Sequence, residues 1–435
     1  MRPPRHGRST SRPHRATRRT QLAGAQSPAR LDLEQAFATT SNAASGATAT
    51  TFAALGLPQR LVTAAERRGI RTPFPIQAAT LPDALAGRDV LGRAETGSGK
   101  TLAFGLPMLA RLAGGARHAG SPRGLVLVPT RELAEQVKEA LAPLGQALDL
   151  RVSAVYGGAS MHRQIQALRR GIDVVVATPG RLLDLIGQRE CSLTGVRITV
   201  LDEADYMADL GFLPAVTELL DATAPGGQRL LFSATLDNGV AKLVHRYLPD
   251  PVLHAVAPAV APVAGTHHRA FTVRAEEKVA VVAEIAAGSG RTLIFVRTKH
   301  GADRLAKQLR RTGVEAGAIH GNLTQNARQR ALDAFGSARG RVLVATDVAA
   351  RGIHVDAVDL VVHFDPPADH KDYLHRSGRT ARAGADGVVL SLLMAEQVGA
   401  ARKLHERAGV LATSVPVGPG AQAVRDVGRS LSGTG

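Results

Sequence analysis

Two short stretches of this chain carry residues that could together bind and cleave a nucleoside triphosphate. The first is the glycine-rich loop 94–101, with the sequence Ala-Glu-Thr-Gly-Ser-Gly-Lys-Thr. Backbone N–H groups of such a loop can converge on phosphates at a helix N-terminus. The second is the run 202–205, Asp-Glu-Ala-Asp, which follows the apolar stretch 196–201. Acids at a strand end can hold a divalent cation and orient a water molecule, so the two stretches predict phosphoryl-transfer chemistry.

Each polar residue of these stretches has a predicted role in that chemistry. Lys100 would neutralise the β- and γ-phosphates, and Thr101 would ligate Mg²⁺. Asp202 would hold Mg²⁺ directly or indirectly, and Glu203 would orient and deprotonate the attacking water. The remaining phosphate contacts would come from Thr96, Gly97, Ser98 and Gly99. A structural glycine turn and a helix N-cap are the alternatives, but a cap explains one acid well and three poorly.

A basic run in the second half of the chain could complete such a site. Residues 375–382 read His-Arg-Ser-Gly-Arg-Thr-Ala-Arg. An arginine supplied from another domain relieves the charge that develops during phosphoryl transfer. Arg379 and Arg382 lie three positions apart, so a helical turn would place both on one face. They are the predicted arginine fingers, and a solvated basic face is the alternative.

The composition indicates a globular, basic protein with a polyanionic partner. A chain of 435 residues is too long for one ordinary core, which predicts two domains. The net charge of +17 favours nucleic acid as the partner. No stretch approaches the roughly 18 uninterrupted apolar residues of a membrane span. The single Cys191 excludes a disulfide framework, so we expect a cytoplasmic protein with a buried or inert thiol and no membrane partner.

Short apolar runs alternate with helical patterns in both halves, which predicts an α/β fold. In the first half the predicted strands are 125–128, 174–177, 198–201 and 230–232, and a helix is predicted at 131–144. In the second half the predicted strands are 292–296, 342–345, 360–363 and 388–392. These runs lack polar alternation, as expected of parallel strands that are buried on both faces. We therefore expect two related domains, each a mostly parallel sheet flanked by helices.

Composition also sets the predicted domain boundaries. Residues 1–48 contain many Arg, Ser, Thr, Pro and Ala, which predicts a disordered basic arm. Residues 49–254 form the first predicted domain and residues 268–414 the second. The weakly charged, proline-containing segment 255–267 predicts a flexible linker. The Gly- and Ser-rich residues 415–435 predict a disordered tail.

The order of further motifs makes the chain resemble the DEAD-box ATP-dependent RNA helicases of the bacterial type over about residues 52–412. Each motif alone is a weak signal, whereas the ordered set is very specific. Besides the loop, the acids and the basic run, the set comprises 69–77 (GIRTPFPIQ), 129–134 (PTRELA), 157–158 (GG), 178–181 (TPGR), 233–235 (SAT), 293–296 (LIFV), 325–328 (QNAR) and 345–352 (ATD through RG).

The resemblance implies two tandem RecA-like domains and assigns further site residues. Phe52 would stack on adenine and Gln77 would read its edge, and Gly352 would also lie at the nucleotide. A core position for Phe52 and a surface amide for Gln77 are the alternatives. Asp205, Ser233, Thr235 and His375 would couple hydrolysis to the RNA-bound state. The residues implied to line the RNA backbone are Pro129, Thr130, Arg131, Gly158, Thr178, Gly180, Arg181, Gln325, Arg328 and Thr346.

The implied function is an ATP- and Mg²⁺-dependent RNA helicase with a monomeric catalytic core, which binds single-stranded RNA without sequence specificity and separates short duplexes. An ATP-gated RNA clamp or assembly scaffold and a DNA-directed helicase are the alternatives. Three positions depart from the family pattern, namely Ile70, Phe74 and His354. Each stands on the side of the site that the resemblance assigns to adenosine, so we expect weaker ATP binding than is typical.

Overall fold

Each half of the chain builds one parallel sheet. The computed structural model describes residues 33, 37, 51–94, 97–255, 266–337, 342–350, 358–381 and 386–430. The strands of the first half are β1 (Val90–Arg93), β2 (Gly124–Leu127), β3 (Val152–Val155), β4 (Val174–Ala177), β5 (Ile198–Asp202), β6 (Gln228–Ser233) and β7 (Val252–Ala255). Those of the second half are β8 (Thr266–Thr272), β9 (Thr292–Phe295), β10 (Ala316–Ile319), β11 (Val342–Ala345), β12 (Leu360–His363), β13 (Gly387–Leu393) and β14 (Ser414–Pro416).

Helices connect these strands in both halves. In the first half they are α1 (Gln59–Arg67), α2 (Pro75–Leu85), α3 (Lys100–Leu112), α4 (Arg131–Gln146), α5 (Met161–Arg169), α6 (Pro179–Gly187), α7 (Ala204–Asp209), α8 (Leu213–Asp221) and α9 (Asn238–Tyr247). In the second half they are α10 (Lys278–Gly288), α11 (Lys299–Arg311), α12 (Gln325–Gly336), α13 (Asp347–Ala350), α14 (His370–Ser377), α15 (Val398–Arg407) and α16 (Gln422–Ser430).

The two sheets have the same topology. The first has the strand order β3-β4-β2-β5-β6-β1-β7, and the second has the order β10-β11-β9-β12-β13-β8-β14. Adding seven to each strand number of the first order gives the second. Every strand pair among the described residues is parallel. The predicted pair of related α/β domains is therefore confirmed, and the match extends to the order of the strands.

Burial on both faces explains why the strands lack polar alternation. Along β2, Val126 belongs to the core on one face of the sheet, whereas Leu125 and Leu127 belong to the core on the other. Both faces are covered, so every residue of such a strand is apolar. Burying one of these side chains stabilises the fold by about 1.5–3 kcal/mol. The carboxyl ends of β1, β2, β4, β5 and β6 all lie on one edge of the sheet, where α/β folds bind ligands.

The predicted disorder of residues 415–435 is wrong for most of that segment. Strand β14 pairs with β8, and helix α16 packs against α10. Val424 and Val427 are fully buried in the core of the second domain. Two valines three positions apart lie on one face of a helix, and the glycine-rich composition around them hid that pattern. The second domain therefore extends beyond the predicted boundary at residue 414.

Two smaller corrections concern the predicted arm and linker. Leu33 and Phe37 are helical, and Phe37 is fully buried against the first domain with the Arg93 guanidinium 5.2 Å from its ring centroid. These positions are four apart, so both apolar side chains share a helical face. The rest of 1–48 lies outside the described residues. Linker residues 256–265 also lie outside them, and Thr266 already pairs with Gly387 at the start of β8.

Cys191 is buried, as the sequence predicted, and burial raises the pKa of its thiol to about 12. A thiol with so high a pKa is a poor nucleophile at neutral pH. In the part of the chain that the structure describes, none of the helices has the length and apolar character needed to span a membrane.

A cluster of histidines lies beneath helix α14 in the second domain. The ring Nδ1 of His268 lies 2.7 Å from the hydroxyl of Tyr373. The rings of His363 and His405 each lie 4.9 Å from the Tyr373 ring, centroid to centroid. Burial lowers the pKa of His268 to about 4 and lowers that of His363 well below its ordinary value, with Arg376 adding to the second shift. The folded domain therefore keeps these rings neutral.

We expect the second domain to lose stability as the pH falls from about 6.5 to about 4. In that range the unfolded chain binds protons that the folded rings exclude, so the free energy of unfolding decreases as the pH falls. Each such histidine contributes about 1.4 kcal/mol per pH unit. Urea unfolding at several pH values measures this slope, and His363→Gln should make it shallower. An unchanged slope in that variant would show that His363 does not contribute.

Candidate nucleotide and nucleic-acid site

The glycine-rich loop leads from the end of β1 into helix α3. Gly97 and Gly99 have φ angles of +88° and +91°, a backbone region that favours glycine. The N-cap of α3 is Gly99, which gives this helix end no side-chain cap. Its first N–H groups are thus available to an anion. Lys100 is buried and its Nζ donates to the carbonyl oxygen of Ala94 at 3.1 Å.

The neighbouring segment 73–77 holds the loop from the side of α2. The Nε2 of Gln77 donates to the carbonyl oxygen of Gly99 at 2.9 Å. Its Oε1 accepts from the backbone N–H of Phe74, also at 2.9 Å. Gln77 is fully buried, so the surface alternative for it is wrong. Phe52 is 2% exposed and packs in the core, which is the alternative that the sequence left open for that residue.

The two acids at the end of β5 occupy different environments. Asp202 is buried, and burial raises its pKa to about 6, with Glu203 also raising it and Lys100 opposing the rise. Its Oδ1 accepts from the backbone N–H of Glu203 at 3.1 Å. Glu203 has a φ of +53°, in the left-handed region that non-glycine residues avoid. Such strain costs about 1–3 kcal/mol and is typical of functional sites.

Asp205 connects the acids to the end of β6. Its Oδ2 accepts from the backbone N–H and the hydroxyl of Thr235, at 2.9 and 3.0 Å. Its own N–H donates to the hydroxyl of Ser233 at 3.3 Å. Burial acts to raise the pKa of Asp205, but the charges of His375 and Lys100 and the Thr235 bonds lower it overall. Because His375 belongs to the second domain, the two domains meet at this carboxylate.

The basic run 375–382 adopts a different local structure from the one predicted. Helix α14 ends at Ser377, and Thr380 forms a parallel bridge with Val358. Arg379 is therefore beyond the helix, which makes the prediction of one helical face for Arg379 and Arg382 wrong. Arg379 itself is buried. Arg382, together with the predicted nucleotide-binding residues Thr96 and Gly352 and the departing residue His354, lies outside the described residues.

The predicted RNA-backbone residues of the first domain surround the carboxyl ends of β2 and β4. Thr130 caps α4, its hydroxyl accepting from the N–H of Leu133 at 3.2 Å, and buried Pro129 precedes it. Arg131 packs on Gly158, whose φ is +86°. In the motif 178–181, the guanidinium of Arg181 donates to the carbonyl oxygen of Ala159 at 3.2 Å. Thr178 caps α6 without a side-chain bond, and Gly180 faces open space.

The predicted RNA residues of the second domain approach this surface. Gln325 begins α12, and Thr346 is buried after the end of β11. Arg328 is buried, and its Nε lies 3.0 Å from Oε1 of Glu132 in the first domain. Among the described residues, its Nη2 has no hydrogen-bond partner. Arg328 thus joins the domains and still holds a donor for a further ligand.

Sequence reasoning missed three features of this region. Glu132 was quoted within the motif 129–134 but received no role. A second contact across the domains joins Lys371 Nζ to Asp237 Oδ2 at 3.8 Å. Phe74 is 56% exposed beside the loop. Of the three, only Phe74 could be noticed in the sequence, because it departs from the family pattern. A contact between two domains leaves no pattern in a single sequence.

Two protein-family models match the chain, one in each half. The DEAD/DEAH box helicase model matches residues 74–243, and the helicase conserved C-terminal domain model matches residues 277–384. A solved structure of S. cerevisiae Dbp5 bound to RNA and ADP BeF3 has a TM-score of 0.78 and 30% identity, over 88% of this chain and 100% of that one. The chain belongs to the DEAD-box helicase family.

Curated DEAD-box helicases show the same relationship at the level of sequence. The maize chloroplastic DEAD-box ATP-dependent RNA helicase 3A is 43% identical over 339 residues, which is 76% of this chain. The ATP-dependent RNA helicase RhlB of Xanthomonas campestris pv. campestris strain B100 is 42% identical over 350 residues, or 78% of this chain. The chain spans 45% of the length of the first relative and 61% of the second.

Proposed function

We propose that this chain is an RNA-stimulated ATPase that separates short RNA duplexes locally. The observation that carries the proposal is a site divided between two domains. Lys100, Asp202 and Glu203 lie in the first domain, whereas His375 and Arg379 come from the second. The charge of His375 lowers the pKa of Asp205, and Arg328 pairs with Glu132. Hydrolysis would then require the two domains to be closed on each other.

The residues present fit ATP and Mg²⁺. The loop offers phosphates the N-terminus of α3, which has no side-chain cap, and the buried Lys100. The carboxylate of Asp202 has its pKa raised to about 6 by burial, so a nearby cation would stabilise its charged form. No group of three or more His, Cys, Asp and Glu suited to a metal occurs among the described residues. One carboxylate, Thr101, phosphate oxygens and water are the usual ligand set of Mg²⁺ in such sites.

The residues of the site divide the reaction between them. Asp202 and Thr101 would hold Mg²⁺, which would neutralise charge on the phosphates. Lys100 holds the same phosphates, and Glu203 orients the attacking water and accepts its proton. Arg379 would stabilise the charge on the transferred phosphoryl group. Asp205, Ser233 and Thr235 connect the acids with His375, so that the first domain would respond to the position of the second.

RNA binding in this proposal relies on the backbone of the strand and not on the bases. Helix N-termini at Thr130 and Thr178 and the guanidinium groups of Arg131 and Arg181 offer donors to phosphates and 2′-hydroxyls. Aromatic residues make up 3% of the chain and Trp is absent, so base-stacking surfaces are scarce. Binding would be independent of sequence and would weaken as the salt concentration rises.

Steady-state ATPase assays with matched RNA and DNA strands test the proposed activity. We expect RNA to stimulate hydrolysis and DNA of the same sequence to do so weakly or not at all. A short RNA duplex with a single-stranded extension should separate only when ATP is hydrolysed. Equal stimulation by DNA would favour a DNA-directed helicase. Long-lived RNA complexes with slow phosphate release and little unwinding would favour the clamp.

The contact between Arg328 and Glu132 supports a further prediction about domain closure. Glu132→Arg should weaken RNA binding in the presence of ADP and beryllium fluoride by about 5- to 150-fold, the usual range of coupling between two sites. Without nucleotide the effect should be small, because the domains are then not held together. RNA binding measured by fluorescence anisotropy under both conditions gives the comparison.

The reciprocal change provides the control for that prediction. Combining Glu132→Arg with Arg328→Glu restores opposite charges across the domains and should recover part of the lost affinity. Arg328 is itself a predicted RNA residue, so the double variant is compared with Arg328→Glu. If adding Glu132→Arg to that variant does not improve RNA binding, the two side chains do not act as a pair.

A cytoplasmic location and a monomeric catalytic core complete the proposal. The location is supported by the single, buried Cys191 and the absence of any disulfide framework in the sequence. The monomeric core is supported by the presence of both halves of the site on one chain.

A further inference from the structure

Phe74 is an exposed aromatic side chain in contact with the glycine-rich loop. It is 56% exposed, and the other exposed large apolar side chains among the described residues are Leu374, Leu411 and Val415. A Cβ built on Gly99 would lie 2.6 Å from Cδ2 of the Phe74 ring. The ring therefore packs against the backbone at Gly99, the residue that caps α3. The rest of the ring remains open to solvent.

The surrounding residues hold Phe74 in a fixed position. It stands between Pro73 and Pro75, and its φ of −70° and ψ of 157° are those that a following proline imposes. Its backbone N–H donates to Gln77, which in turn donates to the carbonyl oxygen of Gly99. The ring, the amide and the loop thus form one connected unit. An aromatic side chain held in this way loses little further conformational entropy when it binds a ligand.

The position of the ring suits the base or ribose of a nucleotide better than its phosphates. Phosphates would occupy the N-terminus of α3, where N–H groups and Lys100 converge. An aromatic ring offers them nothing, whereas it offers a stacking face to a planar base. Phe52, which the resemblance assigned to stacking, packs in the core and would have to leave it to reach a base.

We propose that Phe74 stacks on the base of the nucleotide whose phosphates the loop 97–101 holds. The proposal rests on the proposed function, since it takes that loop to be the nucleotide site. Stacking uses the face of a base, which all bases share, so Phe74 strengthens binding without choosing between adenine and guanine. The departure at position 74 therefore adds affinity for the nucleoside, contrary to the weaker binding expected from the sequence.

The affinities for three ligands distinguish stacking from a purely structural role of the Phe74 ring. ADP and GDP carry a base, whereas inorganic tripolyphosphate carries none. Phe74→Thr should weaken ADP and GDP by a similar factor of about 5- to 150-fold, the range measured when a stacking aromatic is removed. Tripolyphosphate should bind the variant as well as it binds the original protein. Isothermal titration calorimetry measures all three affinities.

A tryptophan at the same position gives a direct signal. The chain contains no Trp, so Phe74→Trp introduces a single fluorophore. Its emission should change on addition of ADP or GDP and stay constant with tripolyphosphate. ADP affinity should be kept or increased, because the ring still offers a stacking face. Leu411→Thr removes a 96% exposed apolar side chain elsewhere and should leave every affinity unchanged.

The outcomes distinguish this inference from the proposed function. If the original protein binds ADP and the Phe74→Thr variant binds it equally well, only the stacking role is overturned. If the variant loses ADP and tripolyphosphate to the same degree, the ring serves to shape the loop and the stacking role is again overturned. If the original protein binds no nucleotide, or if Lys100→Ala leaves binding intact, the proposed function itself fails.

Discussion

Replacing Arg379 with alanine is expected to lower the RNA-stimulated kcat for ATP by about 10³- to 10⁵-fold. The first domain supplies Lys100 and two strand-end acids, but no described arginine of that domain lies within the loop or the acid run. In the proposed mechanism, Lys100 holds the phosphates, and an arginine of the second domain would stabilise the further charge that develops on the transferred phosphoryl group. Arg379 is buried just beyond α14, the helix that also carries His375.

Binding measurements separate this role from a loss of folding. Arg379→Ala should still bind ADP and single-stranded RNA, because neither the phosphate loop nor the RNA surface of the first domain contains it. Single-turnover hydrolysis on pre-formed complexes then reports the chemical step alone. A fall in ADP affinity as large as the fall in kcat would assign Arg379 to binding and not to the transition state.

Two other arginines of the second domain, Arg376 and Arg402, provide contrasting controls. Arg376 uses its guanidinium for structure, donating to both carboxylate oxygens of Asp347 at 2.6 and 2.8 Å and to the carbonyl oxygen of Asp365. Arg376→Ala should therefore destabilise the second domain, and its thermal unfolding should show this. Arg402 is 75% exposed on α15, so Arg402→Ala removes the same charge at no cost to activity or stability.

The sequence predicted eight of the fourteen described strands, each of which contains a run of Val, Leu, Ile or Phe. Strands β4, β11 and β12 have the predicted bounds, β5 is longer by one residue at its end, and β2 is shifted by one residue towards the N-terminus. Strands β1 and β8 were missed because their sequences, VLGR and THHRAFT, contain glycine, histidine and arginine. Tertiary contacts make these residues acceptable, as when His268 of β8 contacts the Tyr373 hydroxyl. Such partners are distant in the chain and invisible to a local pattern.

The residues of the site also differ in whether a local motif or a distant contact determines their position. Lys100 and the acids of β5 were predicted because spacing within a short motif determines their geometry. The pairing of Glu132 with Arg328 could not be predicted, since it depends on how two domains meet. The helical turn expected at Arg379 was wrong because Gly378 ends α14 and Thr380 then pairs with Val358.

Replacing Glu203 with glutamine is expected to lower kcat by about 10²- to 10⁴-fold, the usual contribution of a general base. The amide keeps the size of the side chain but cannot accept the proton of the attacking water. Glu203 lies at the N-terminus of α7 with its backbone in the left-handed region, and its N–H is bonded to Asp202. The protein thus tolerates backbone strain at the residue that would contact the water.

Substrate binding should survive this change, which gives the test its contrast. Glu203→Gln should keep its affinity for ATP. With ATP it should remain on single-stranded RNA longer than the original protein does, because the two domains separate only after ATP is hydrolysed. Asp202→Asn makes the matched comparison at the adjacent residue. It should weaken Mg²⁺-dependent ATP binding, since Asp202 is assigned to the cation and not to the water. If both variants lose ATP affinity equally, Glu203 acts on the cation as well, and the division of labour between the two acids is wrong.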